Sequence, residues 1–223
     1  MNLLKILKTF LEREDYTALL QTAQGNEGKT AGGLIGLLTD SDERIKWRAV
    51  KALGLVVGFL FARDPERVRT IIRQLIWNLN DESGGIGWGM PEALGEILAE
   101  IPALRSEYLG LFIAYLTEAK CRLDNPQLLA GVIWGIGRIK QLDEETKQRV
   151  LPYLLGAIND QSSLLQGTVV WTLGRLKAKE AFFYLKTLQK EKRMVKIFSD
   201  GQVKEQSIGQ WAQEARANII KGG

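Results

Sequence analysis

Four tryptophans each have a charged side chain four residues further on, in sets spaced by four: Trp47, Lys51 and Leu55; Trp88, Glu92 and Glu96; Ala130, Trp134 and Arg138; Gly167, Trp171 and Arg175. Residues four apart are neighbours on a helix surface, so each set is one stripe. Tryptophan and arginine are the side chains that most often carry binding energy. The stripes therefore read as a partner-binding groove built from Trp47, Lys51, Trp88, Glu92, Glu96, Trp134, Arg138, Trp171 and Arg175. The competing use is structural, with the rings packing between repeats and the charges forming ion pairs. Aromatics and charges share the same register, and packing alone does not require arginines there.

Catalytic alternatives are narrow, because the 223 residues contain no histidine. That removes Ser-His-Asp and Cys-His pairs, histidine zinc sites and a general base tuned near neutral pH. Glu92 and Glu96 lie one turn apart and could hold a cation, but such pairs are ordinarily solvated or ion-paired, so neither a metal nor a cofactor is expected. The turn DESGGIG at 81–87 follows a helix rather than a strand, has no lysine and carries its own acids, which opposes phosphate binding. It reads instead as a tight turn with Asp81 or Ser83 capping the next helix.

Composition describes an ordered protein: 45% hydrophobic and 25% charged residues with only 5 prolines. The net charge of +4 comes from 30 basic and 26 acidic residues mixed along the chain, which permits nucleic acid without favouring it. A protein partner is expected. Cys121 is the one cysteine and cannot form an internal disulfide, which suits the cytoplasm. Lysines 5 and 8 interrupt the apolar start MNLLKILKTFLE, as in an amphipathic helix rather than a secretory signal. The longest uncharged stretch, Gln161 to Gly174, is too short to span a bilayer, so no membrane association is expected.

The elements that must position the stripes form a repeat. RAVKALG at 48–54, GMPEALG at 89–95, VIWGIG at 132–137 and VVWTLG at 169–174 each close on glycine, and glycines 54, 95, 137 and 174 are spaced by 41, 42 and 37 residues. Two-helix HEAT or armadillo units recur at about 40 to 47 residues. A second apolar run precedes each segment, at Leu34 to Asp42, Ile71 to Asp81, Leu109 to Leu116 and Val150 to Asp160, so each unit reads as helix A, turn, helix B. Val50, Leu53 and Val57, with Ile133, Ile136, Val170 and Leu173, fall at core spacing on helix B. The recurrent glycine costs an isolated helix about 1 kcal/mol relative to alanine, so its expected use is close approach of a neighbouring helix.

The expected architecture is all-α, a right-handed α-solenoid of HEAT-like helix pairs in a single domain over 1–223. Residues 1–24 form a helical cap, 25–190 hold about four repeats, and 191–223 hold a hairpin around Asp200-Gly201 and a last helix over Ile208 to Ile220. The repeats resemble the HEAT repeats of phycobilisome bilin lyase subunits and of bacterial proteins with no assigned activity. The more specific part is LIWNLNDESGGIGWGMPEALGE at 75–96 with GVIWGIGR at 131–138. That resemblance implies the fold and, as an alternative function, an accessory or chaperone role toward a tetrapyrrole-bearing partner. The arrangement of Trp88, Glu92, Trp134, Arg138 and Trp171 is also similar to the concave groove of HEAT-like alkylpurine DNA glycosylases, which would make Glu92 the acid that stabilises a cationic sugar. The family acid is aspartate, and Glu92 with Glu96 would repel phosphate. A non-catalytic protein-binding scaffold is the favoured reading.

Overall fold

The computed structural model describes residues 2–80 and 87–221. These divide into two compact units, the first ending at Leu104 and the second starting at Arg105.

The first unit contains α1 (Leu3–Glu12), α2 (Tyr16–Ala23), α3 (Glu27–Leu37), α4 (Glu43–Phe61), α5 (Pro65–Leu79) and α6 (Met90–Glu100). Helix starts follow capping chemistry. The carboxylates of Asp15, Asp42 and Asp64 accept the backbone N–H groups of Ala18, Arg44 and Arg67, and Pro65 fills a first-turn position where no N–H is needed. Asp42, expected to end helix A, thus begins helix B instead, and α3 stops at Leu37. Helix α4 runs well past Gly54 to Phe61. Helix α6 starts from Gly89, which takes φ +78 in the left-handed region where glycine is tolerated. The expected caps Asp81 and Ser83 lie outside the described residues.

The second unit contains α7 (Arg105–Thr117), α8 (Pro126–Arg138), α9 (Glu144–Gly156), α10 (Ser163–Arg175), α11 (Phe182–Thr187), β1 (Met194–Ser199), β2 (Gln202–Ser207) and α12 (Ile208–Lys221). Helices α7 and α9 start earlier than the apolar runs at Leu109 and Val150, and α5 earlier than Ile71, because their first turns are polar and face water. The two strands pair antiparallel with Ser199 opposite Gln202. Asp200 and Gly201 between them take φ +52 and +86, the two positive values a tight hairpin turn needs.

Within each unit helix B packs on helix B, α4 against α6 and α8 against α10, with α12 continuing the series on α10. The core is mainly aliphatic and includes Val50, Leu53, Val57, Ile133, Ile136, Val170 and Leu173, all fully buried, with Phe112, Tyr115, Trp134 and Trp211 as its largest side chains. The closing glycines sit at these contacts. A Cβ at Gly137 would meet Thr172 Cα at 3.2 Å, and one at Gly174 would meet Ala215 Cα at 2.5 Å, so a side chain at either position would force the helices apart.

Candidate functional site

The stripe residues divide by burial. Trp47, Trp134 and Trp171 are covered, at 7%, 2% and 7% exposure, and so are Glu92 and Glu96 at 4% and 2%. Trp88, Lys51 and Arg138 are half-buried, and Arg175 is exposed. The expectation of tryptophans lining an open groove is therefore corrected for three of the four rings, which are packing groups; the stripe reaches solvent at its basic members Lys51, Arg138 and Arg175 and at Trp88.

In the first unit the stripe lies on α4 and α6, except that Trp88, expected on the same helix as Glu92, lies in the turn before Gly89 and α6. Lys46 Nζ donates to Glu92 Oε1 at 2.6 Å, and both side chains are largely covered. The second oxygen, Glu92 Oε2, is buried without a hydrogen-bond partner. Lys46 also sits 5.0 Å from the centre of the Trp47 ring, and Lys51 Nζ lies 4.2 Å above the ring of Tyr16 from α2. Arg48 donates to the Leu11 carbonyl at 3.0 Å and pairs with Glu14. Burial, then the charge of Glu14, push the Tyr16 hydroxyl up to about 12; Arg48 pulls it back and Glu96 adds to the rise. These ionic side chains are largely occupied with one another. A carboxylate that is 4% exposed and held by a lysine is not presented to an extruded nucleotide, so Glu92 is poorly placed for the glycosylase role. Its lysine partner also disfavours cation binding, and among the described residues no group of three acidic, cysteine or histidine side chains converges as a metal site.

In the second unit α8 and α10 hold Trp134 and Trp171 in a parallel stack, with ring centres 6.3 Å apart and planes 7° from each other. Strand β1 covers them. The Trp134 indole N–H donates to the Phe198 carbonyl at 2.8 Å, the Trp171 indole N–H donates to Ser199 Oγ at 3.3 Å, and the Phe198 ring lies 6.2 Å from Trp134. Val195 of the same strand fills the space above Gly167, whose missing side chain makes room for it. Thr172 of α10 donates to the Ile133 carbonyl of α8 at 2.9 Å, locking the pair. Arg193 ties the base of the hairpin to α10 through the Gln161 carbonyl at 3.0 Å and the Gln166 side chain. At the end of α10, Arg175 holds its guanidinium 5.8 Å from the Trp171 ring centre while staying open to solvent. The Asp200 carboxyl beside it is held below the usual carboxylate range, first by its hydrogen bond from Lys204 and in smaller part by Arg175.

The most exposed tryptophan is one the stripe omits. Trp77 on α5 is 74% exposed. Its position follows from helical periodicity, since Val68, Leu75 and Leu79 form the buried side of α5 and Trp77 falls opposite them.

The family model described as a HEAT-like repeat matches residues 126–176, the segment that contains α8, α9 and α10. No curated protein matches the chain. Among solved structures, the chain is similar to the crystal structure of an engineered protein at 15% identity and TM-score 0.49, covering 100% of this chain and 98% of that one. It is also similar to a designed armadillo repeat protein at 16% identity and TM-score 0.41, covering 98% of this chain and 100% of that one. A computationally designed armadillo repeat protein for modular peptide recognition is similar at 17% identity and TM-score 0.40, covering 97% and 98%. The segment carrying the Trp134–Trp171 stack, residues 126–176, is thus a HEAT-like repeat.

Proposed function

We propose that the chain is a non-catalytic, cytoplasmic, protein-binding scaffold of about four HEAT-like repeats, and that its partner is bound at the solvent-reaching members of the helix-B stripe. The observation that carries this reading is Arg175: an exposed guanidinium held over a tryptophan whose own position is fixed by stacking and by a hydrogen bond to the hairpin. Fixing an arginine before its partner arrives reduces the ordering cost of binding, and its fork of donors matches a partner carboxylate. Arg138, one residue past Gly137 as Arg175 is one past Gly174, occupies the corresponding stripe position in the second unit and supplies a further contact. The buried Trp171, stacked on Trp134, is the base that sets Arg175 in place.

The test is a photo-activated crosslinking amino acid at position 175, compared with one at the exposed Asn159. A discrete protein adduct at 175, absent at 159 and lost when Arg138 is changed to Glu, is the expected result. Adducts that are identical at both positions, or a nucleic-acid adduct at 175, would sink the reading.

A further inference from the structure

The exposed side of α5 is a second surface, on helix A rather than on the helix-B stripe. Helix geometry places Glu66, Thr70, Arg73 and Trp77 along it in a single row of about 16 Å, at 1.5 Å rise per residue. Arg69 and Gln74 flank the row, and the opposite side of the helix is the aliphatic core. Glu66 is engaged by Arg69 Nη1 at 2.9 Å. Arg73 donates only to the Thr70 hydroxyl at 3.1 Å, and among the described residues no carboxylate pairs with Arg73 or Arg67. Among the described residues, the surface around Trp77 therefore carries one guanidinium without a carboxylate partner, that of Arg73, beside an indole that is largely in water.

We infer that this face of α5 is a docking site for an acidic protein segment, an apolar side chain of which lies on Trp77 while a carboxylate is taken by Arg73. Charge complementarity fixes the sign of the partner. Tryptophan and arginine one turn apart supply the two contact types that dominate protein hot spots. Nucleic acid fits less well, because Glu66 stands in the same row and few uncompensated arginines are available to follow a phosphate backbone.

The full chain is titrated by fluorescence anisotropy against labelled twelve-residue peptides that each contain one phenylalanine and from zero to six aspartates, and against a labelled twelve-nucleotide oligothymidylate. Affinity should rise with aspartate count, fall at least tenfold in Trp77→Ala and in Arg73→Ala, and stay unchanged in Lys186→Ala, an exposed cation of the second unit that belongs to neither surface. Both α5 substitutions replace exposed side chains, and an unchanged melting temperature verifies that they leave the fold intact. Affinity that ignores aspartate count, survives both substitutions, or is stronger for the oligonucleotide than for the acidic peptides would overturn the assignment.

Discussion

Replacing Gly174 by alanine should destabilise the second unit, against the direction that helix propensity alone predicts. Gly174 lies in the last turn of α10, and an added Cβ would stand 2.5 Å from Ala215 Cα and 2.6 Å from its Cβ. Ordinary contact begins near 3.4 Å, so α12 must retreat by most of an ångström along its contact with α10. Overpacking of this kind costs about 1–3 kcal/mol, at the upper end when the obstacle is backbone. The better helix former gives back about 1 kcal/mol. The net loss is about 2 kcal/mol, which at roughly 2–4 °C per kcal/mol for a chain of this length lowers the melting temperature by about 4–8 °C. The control is Gly110→Ala in the same unit, where the added Cβ meets nothing within 4 Å on a solvent-facing side of α7; this change should stabilise by up to about 1 kcal/mol. Urea and thermal unfolding followed by circular dichroism measure both. If Gly174→Ala raised stability as Gly110→Ala does, the close approach of α10 and α12 would be refuted.

Trp134→Phe removes the donor to the Phe198 carbonyl and should cost about 1–3 kcal/mol, with hydrogen exchange accelerating first in 194–207. Lys177 takes φ +54 just after α10, where its N–H and that of Ala178 close the helix on the carbonyls of Gly174 and Leu173. Lys177→Gly should therefore raise the unfolding free energy by about 0.5–1 kcal/mol after the entropy of the added glycine is offset, seen as a higher urea midpoint at unchanged slope. Asp42 is held down at about 2, first by the Arg44 side chain and then by the Arg44 backbone N–H, and Asp143 and Glu191 are also depressed by backbone and side-chain donors. A depressed folded value stabilises above the unfolded value of about 4 and loses that contribution as pH falls toward 2. Melting temperature should accordingly be level above about pH 5 and drop below pH 4, with a shallower drop in Asp42→Asn.

What the sequence made legible is what short-range chemistry determines. Asp200-Gly201 can hardly be anything but a hairpin turn, and the period of the closing glycines marks the helix-B contacts because no other residue allows that approach. Helix starts are less legible, since the polar first turns of α5, α7 and α9 carry no apolar signal and only the capping residues Asp64 and Asp143 mark the beginnings of α5 and α9. The fate of Trp134 and Trp171 was not legible, because the strand that covers them lies up to 64 residues further along. Lys46 as the partner of Glu92, 46 residues earlier, is hidden for the same reason. Trp77 was within reach of the helical period, yet comparison of positions shared between repeats passes over a residue that occurs in only one of them.

The docking of β1 on the tryptophan stack also sets an order of events during synthesis. Repeat arrays ordinarily mature by contact between neighbours, each unit completing the one before it. Here the Trp134 indole finds its acceptor only when residue 198 has been made, 64 residues later. At about 5–20 residues per second that is a delay of roughly 3 to 13 seconds. Once α10 has been made, the stacked faces of α8 and α10 lack their strand for the rest of that interval, so this pair acquires its final stability from a segment added after both helices, and a nascent chain paused before residue 194 presents two large rings to any hydrophobic surface nearby.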